Sequence, residues 1–400
     1  MLMGNIYDIL LTVIILTEKL YDFDSYLKEF TAKVISCTPF DKGYKVILDK
    51  TAFFPEEGGQ YSDQGFLNEA LVFDVQIEDG ELVHYCNAPL SGEVKGTINW
   101  ERRFRNMQNH TGEHIISGLV HSLYGGENVG FHLGEPEVTC DYDIELSDEQ
   151  IKKIELEANK AVYENMGVTG YYPDQEELKN IAYRSKKEID AKIRIVTIGS
   201  VDCCACCAPH VKSTGEVGII KIISAMRLRG GVRLFIACGM DAFMDYSLKH
   251  DEIRRISAAL AAKPQECAAG VERIINNLKA ETYRANSLSS ALSEVRIERI
   301  EKTDKDVVIF TSCEAKALRE LVNKAKEKSG NICAALSGND AEGYSYILYS
   351  ETLDLIKLAK DINEKLNGRG GGKSPMIQGS IKADKETIKK YFSGALVFDF

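Results

Sequence analysis

The 400-residue chain has no basic excess. Sixty acidic side chains against 49 Lys and Arg leave a net charge of -11, so a polyanionic partner would need a local basic face. It also has no run of the roughly 20 apolar residues that cross a bilayer, which excludes a conventional spanning helix. The apolar start, Ile6 to Leu16, is broken by Asp8 and lacks the basic beginning and small-residue cleavage site of a signal peptide. Residues 1–16 read as an extra extension ahead of a natural beginning near Thr17-Glu-Lys-Leu20. Without a leader, the eleven cysteines are expected as reduced thiols in the cytoplasm, and their odd, clustered arrangement suits metal better than a disulfide framework. Disorder is excluded by 44% hydrophobic residues and charges of mixed sign.

A chain this long exceeds what one core usually supports. The expected class is α+β multidomain. Residues 17–100 alternate apolar and polar positions in Ala32-Lys-Val-Ile-Ser-Cys37, Tyr44-Lys-Val-Ile-Leu48, Ala70 to Ile77 and Leu82-Val-His-Tyr85, which predicts a small N-terminal β-barrel. Residues 101–248 mix helices and strands in an α+β metal-binding unit. Residues 249–303 carry Ile253, Ile256 and Leu260, then Val271, Ile274, Ile275 and Leu278, at helical spacing around Pro264, which predicts a helical arm. Residues 304–400 start a fresh alternation, expected to form a C-terminal α/β domain. Gly368-Arg-Gly-Gly-Gly-Lys-Ser374 fails as a nucleotide phosphate loop because position 367 is Asn; it reads as a flexible glycine loop or linker presenting Arg369 and Lys373.

Histidine is scarce, with seven in the chain, and two of them form His110-Thr-Gly-Glu-His114. Ile115, Ile116, Leu119, Val120 and Leu123 recur at helical spacing there, so both imidazoles lie on one helix face. Far downstream, Cys206-Cys-Ala-Pro-His210 offers a thiolate and a third imidazole in a turn after the buried strand Ile193 to Ile198. Mixed nitrogen and sulfur donors from two segments suit one zinc ion per chain, with His110, His114, Cys206 and His210 as ligands. Cys203, Cys204, Cys206 and Cys207 also form two overlapping Cys-x2-Cys pairs, so a closed, structural site rich in thiolate stays open beside a catalytic one.

Seven motifs occur in order: Thr51-Ala-Phe-Phe-Pro-Glu-Glu-Gly-Gly-Gln60, Ser62-Asp63-Gln-Gly65, Asn109 to His114, Asn128-Val-Gly-Phe-His-Leu-Gly134, Cys206 to His210, Thr214-Gly-Glu-Val-Gly218 and Arg369-Gly-Gly-Gly-Lys373. From residue 17 onward the chain resembles AlaX, the freestanding alanyl-tRNA editing proteins, in their long form, whose end is similar to the DHH-associated C-terminal domain of alanyl-tRNA synthetase. The resemblance implies ATP-independent deacylation of tRNA(Ala) misacylated with serine or glycine, an editing role for residues 101–248, and the same four zinc ligands. It also implies that the C-terminal domain grips the tRNA or forms a homodimer. Glu57 stands where the family has a third glycine, and Cys207 replaces a common glycine.

A synthetase pocket shaped for alanine rejects an added hydroxyl by only about a hundredfold, so a second hydrolytic sieve is needed. Thr51 is the candidate reader of serine's hydroxyl, and Gln60 the candidate holder of the terminal adenosine or aminoacyl group. Glu113 is out of register for a metalloprotease helix, because it precedes the second histidine, and is expected to face solvent or to support a ligand. His132 and Asp141 are candidate supports or substrate contacts. Arg102 and Arg105, with Arg103 between them, and Arg227, Arg229 and Arg233 around Gly230-Gly231, are candidates for tracking phosphate, against a plain solvated surface. Two other readings compete: a tRNA-binding module whose zinc is structural, and a zinc hydrolase of a small ester or amide.

Overall fold

The computed structural model describes residues 17–134, 137–185, 192–313 and 315–400; the extension expected at 1–16 lies outside them. The chain is a mixed α+β, multidomain protein, and it divides into two compact units, one ending at Glu252 and the next beginning at Ile253.

In the first unit, six antiparallel strands close into a barrel in the order Glu29–Phe40, Gly43–Leu48, Glu81–Cys86, Ala70–Glu78, Gly65–Leu67 and Glu93–Ile98. Alternate residues point inward, and Val46, Leu48, Leu67, Val72, Val75 and Val94 fill the interior. The segment after Lys50–Thr51 does not run over the surface as loops usually do. Thr51, Ala52, Phe53 and Phe54 are all fully buried. A buried loop must have its backbone polar groups satisfied, and here an ion pair does much of it. The Asp63 carboxylate accepts from the Phe54 amide at 2.7 Å, while the Arg103 guanidinium donates to Asp63, to the Ala52 carbonyl at 2.6 Å and to the Ser25 carbonyl at 3.0 Å.

Arg103 lies on the helix Trp100–Tyr124, which starts on an Asn99 side chain accepting from the Arg102 amide and stops at Gly125 in the left-handed region. Its stretch from Asn109 to Gly118 is buried on every side, although it carries Asn109, His110, Thr111, Glu113, His114 and Ser117. Burying that much polarity is costly unless each group is partnered, so this helix is where the fold concentrates its chemistry. A four-stranded antiparallel sheet, Ile220–Leu228, Gly231–Cys238, Val138–Tyr142 and Asn128–Leu133, and the helix Asp148–Tyr163 contribute Leu234, Ile236, Val138, Ile154 and Ala158 to a core around Met107, Ile115, Ile116 and Val120. A second sheet, Val168–Tyr171, Ile195–Ile198 and Asp202–Ala205, approaches the helix at Gly118. A Cβ there would sit 2.4 Å from the Val201 carbonyl oxygen, so only glycine lets Asp202 come this close.

The second unit begins inside the helix Met240–Leu260 and continues through the long helix Cys267–Glu298. Its six-stranded sheet runs Arg369–Lys373, Met376–Ile381, Gly343–Tyr349, Cys333–Asn339, Val307–Thr311 and Leu396–Asp399. Val308 and Phe310 pack on one face with the helices Leu355–Lys365 and Lys385–Tyr391, and Val307 and Ile309 on the other with Ala315–Ala325. The glycine segment expected as a flexible loop is instead an edge strand. Arg369 to Lys373 pair in antiparallel register with Ser380 to Met376, because backbone hydrogen bonds need no side chains, and the residues stay exposed.

Removing one partner of a buried ion pair strands the other without compensation. Arg103→Met should therefore lower the unfolding free energy of the first unit by about 3–5 kcal/mol, read in urea through Trp100, the single tryptophan. A loss below about 1 kcal/mol would show that the pair does not hold the buried loop.

Candidate metal centre

His110, His114, Cys206 and His210 each offer one ligand atom within 4.8 Å of the others. One helix turn stacks His110 over His114, with ring centroids 5.3 Å apart, and the His210 ring meets both edge-on at 5.0 and 4.9 Å. The Cys206 sulfur lies 3.6 Å from His110 Nε2 and 3.3 Å from His210 Nε2. Each imidazole is held from behind through Nδ1. His110 Nδ1 meets Gln60 Oε1 at 2.8 Å, His114 Nδ1 meets Asp202 Oδ2 at 3.0 Å, and His210 Nδ1 meets the Thr111 hydroxyl at 3.0 Å. Amide and carboxylate oxygens only accept, so the Nδ1 atoms of His110 and His114 carry a proton, and in the neutral ring Nε2 keeps its lone pair for a ligand.

The electrostatics single out one thiolate. Burial pushes the Cys206 thiol up, but the His110 and His210 imidazoles outweigh it and hold the group well below the usual thiol range. Cys204 is pushed up to about 12 by burial, and Cys207 is pushed up by burial and then by Cys206 and Glu57. Burial lowers His210 to about 4. On His114 the same burial is overridden by Cys204, Glu113 and Asp202, which raise it. Burial would raise Asp202, yet hydrogen bonds from His114 and from Arg184, at 2.8 and 2.9 Å, keep its carboxyl well below the usual range.

Glu113 does not face solvent. It is 1% exposed, with Oε1 accepting from Ser117 at 2.6 Å and Asn128 at 2.5 Å, and Oε2 lying 3.7 Å from His114 Nε2. Ser117 also meets the Tyr142 hydroxyl at 2.9 Å. Thr51 is buried beside His84. The His84 Nδ1 donates to the Val46 carbonyl at 3.1 Å, so its Nε2 accepts the Thr51 hydroxyl at 2.8 Å, while the Thr51 oxygen accepts the Phe53 amide at 3.1 Å. Thr51 thus offers only an acceptor to anything else. Gln60 is fully buried, and its Nε2 has no partner among the described residues.

The remaining candidates scatter. His132 is exposed and meets Tyr61 edge-on at 5.3 Å. Asp141 is paired with Arg233 at 2.6 Å across neighbouring strands, and Arg105 with Asp241 at 2.8 Å. Arg102 donates to the Ser62 carbonyl at 3.0 Å. Arg227 and Arg229 are exposed at the end of Ile220–Leu228 and in the turn after it, and Arg369 and Lys373 are exposed on the edge strand of the second unit. Sequence reasoning offered Cys204 only as part of a possible thiolate-rich site and missed Asp202 and His84. A period of two from Asp202 through Cys204 to Cys206 would have put the first two on the ligand's face of the strand.

The family model for the threonyl and alanyl tRNA synthetase second additional domain matches residues 193–236, and that for the DHHA1 domain matches residues 304–395. The alanyl-tRNA editing protein AlaX-L of Pyrococcus horikoshii is 30% identical over 403 residues, covering 93% of this chain and 96% of that protein. The alanyl-tRNA editing protein Aarsd1 of Rattus norvegicus is 25% identical, over 89% and 92%. The alanine–tRNA ligase of Pyrococcus abyssi is 31% identical over 92% of this chain but only 42% of the ligase.

His84 makes stability depend on pH. Burial lowers its imidazole from 6.5 to about 4. The unfolded chain takes up that proton first as pH falls, so stability should be full above about 6.5 and decline toward pH 4, by up to about 3 kcal/mol. In denaturation series at stepped pH, His84→Gln should flatten the decline; an unchanged slope would rule His84 out as its source.

Proposed function

Because the chain belongs to the alanyl-tRNA editing proteins, we propose that it hydrolyses the ester of tRNA(Ala) misacylated with serine or glycine, at the centre built from His110, His114, Cys206 and His210. It is an aminoacyl-tRNA deacylase acting in trans. The observation that carries the reading is the convergence of three imidazole nitrogens and a thiolate, each imidazole tied back through Nδ1. Electron-rich atoms facing one another in a buried place repel unless a cation lies among them, and a mixed nitrogen and sulfur set suits zinc. These four residues would hold it, and when bound it would polarise the ester or a water as a Lewis acid.

The rest of the chemistry belongs to side chains. Gln60, with its oxygen committed to His110, directs its amide hydrogens away from that ring, where they stabilise charge on the ester carbonyl oxygen. Glu113, steadied by Ser117 and Asn128, takes the proton of the attacking water. Thr51 accepts from serine's hydroxyl; alanine would leave that acceptor desolvated and unpaired, which supports rejection of the correct product. Glycine lacks that hydroxyl too, but its missing methyl leaves room for a water that donates to Thr51 in its place. His132 is kept as a contact at the rim, and Arg102, Arg105, Arg227, Arg229 and Arg233 as the RNA-facing cations of the first unit. We divide that unit into a barrel, 17–100, and an editing part, 101–248. After an arm, 249–303, the domain 304–400 grips the tRNA or pairs two copies through the side bearing Arg369 and Lys373.

His114→Ala should lose bound zinc and deacylation of Ser-tRNA(Ala) together, while the wild type leaves Ala-tRNA(Ala) intact. Equal hydrolysis of both esters, or full activity in the variant, would reject the reading. A module with structural zinc would bind tRNA without turnover. Asp202→Asn keeps the shape but weakens the grip on His114, so zinc loss to a competing chelator should rise roughly 10–100-fold. Unchanged retention would remove Asp202 from the scheme.

A further inference from the structure

The strand that supplies Asp202 carries a second set of donors. Its residues alternate, Asp202 and Cys204 buried, Cys203 and Ala205 half-buried, and the same period of two leads on to Cys206. Three side chains able to bind metal thus stand in a row. His114 meets two of them through one nitrogen, with Nδ1 3.0 Å from Asp202 Oδ2 and 2.8 Å from Cys204 Sγ. His114, Asp202 and Cys204 offer ligand atoms within 4.8 Å of one another, as the four-residue centre does, and all three are buried. Cys204 has an ordinary role to weigh against this, because a free cysteine often packs as a small apolar side chain. It does belong to the core around Ile115 and Ile116. Packing, however, needs only an apolar neighbour, whereas this sulfur is set against the polar edge of an imidazole, beside a carboxylate.

What these donors would hold follows from their kind. Nitrogen, oxygen and sulfur together suit zinc or cobalt(II), around which tetrahedral donors stand roughly 3.3–3.6 Å apart. Cys206 already lies 3.6 and 3.3 Å from the Nε2 atoms of His110 and His210, so the four-residue centre is nearly preset. The triad would have to open by roughly half an ångström. Three donors that must spread hold an ion less firmly than four already in place. Asp202 is also shared with Arg184, which donates to it at 2.8 and 2.9 Å and so weakens its pull on a cation. The triad therefore suits brief residence.

Both sets need His114. An ion at Nδ1 leaves the ring proton on Nε2, and an ion at Nε2 leaves it on Nδ1 facing Asp202, so filling one set empties the other. Arg184, Asp202 and Cys203 border a cavity of about 480 Å³. The Asp202 side chain is 2% exposed and that of Arg184 13%, so Arg184 has to swing aside before an ion meets the carboxylate. We propose that His114, Asp202 and Cys204 form a transient metal site through which the ion reaches the four-residue centre. The Cys204 thiol releases its proton to solvent when the ion binds. On transfer, Cys206 replaces Cys204, the His110 and His210 imidazoles replace Asp202, and Cys204 takes a proton back. The inference rests on the zinc reading of the centre above.

The test adds cobalt(II) to the metal-free full chain and reads thiolate-to-cobalt absorption. Cys206→Ala removes the one thiolate of the four-residue set, yet a thiolate band should persist in it and vanish in Cys204→Ala/Cys206→Ala. Absence of the band in Cys206→Ala, or its survival in the double variant, would overturn the proposal. Cys206→Ser supplies a second background if circular dichroism shows the alanine variant misfolded. In a second arm, zinc is offered as its nitrilotriacetate complex to the wild type, Cys204→Ala and Cys204→Val. Both variants should load several-fold more slowly and still end with one ion per chain. Loading at the wild-type rate would overturn the route, and two ions per wild-type chain would overturn the sharing of His114. If the wild-type band is lost in Cys204→Ala and kept in Cys206→Ala, the triad is the resident site and the four-residue centre is rejected. If both arms succeed but the wild type does not hydrolyse Ser-tRNA(Ala), the deacylase reading fails and the transient site stands.

Discussion

The partner held by each imidazole's Nδ1 organises the first unit. A histidine can turn Nε2 outward as a ligand only if Nδ1 has somewhere to put its hydrogen, and here that place comes from three different segments: Gln60 after the buried loop, Asp202 on a strand, and Thr111 on the histidine helix itself. The centre is therefore a junction of elements far apart in the chain. Shifting one support would turn one ring and spoil a donor set whose other members stayed in place.

That constraint explains why so much polarity is buried around one helix. Arg103 and Asp63 fix the loop between Thr51 and Gln60 against it, Gly118 admits the Asp202 strand, and Ser117, Asn128 and Tyr142 accommodate the Glu113 carboxylate. Each is paired in a low-dielectric interior where an unpaired group would be expensive. Some of the arginines the sequence offered to a polyanionic partner are ion-paired within the first unit. Arg103, Arg105 and Arg233 are already committed to Asp63, Asp241 and Asp141. Of the sequence's arginine clusters, Arg227 and Arg229 remain exposed.

Legibility followed the kind of signal each element carries. The helix holding His110 and His114 was readable because apolar residues repeat with its period, and the barrel strands because theirs alternate. The glycine segment was misread because a run without side chains has no hydrophobic pattern; its place as an edge strand comes from backbone bonding to Met376–Ile381. Arg103 looked like its neighbours Arg102 and Arg105, since nothing local distinguishes a surface arginine from one whose carboxylate lies forty residues earlier in the chain. Glu113 shows the same limit. Its register excluded one catalytic role, but its burial depends on Asn128 and the sheet that carries it.

The sequence alone determined the identities and local spacing of the donors: an i, i+4 histidine pair on a helix, a cysteine and histidine in a distant turn, and the order of motifs shared with a family. Those are short-range properties, set by periodicity and turn chemistry. Tertiary structure decided which nitrogen each imidazole presents, which of four neighbouring cysteines becomes the acidic thiol, and that Thr51 can only accept. Those outcomes depend on burial and on partners contributed by other segments, and both come into being only when the chain closes on itself.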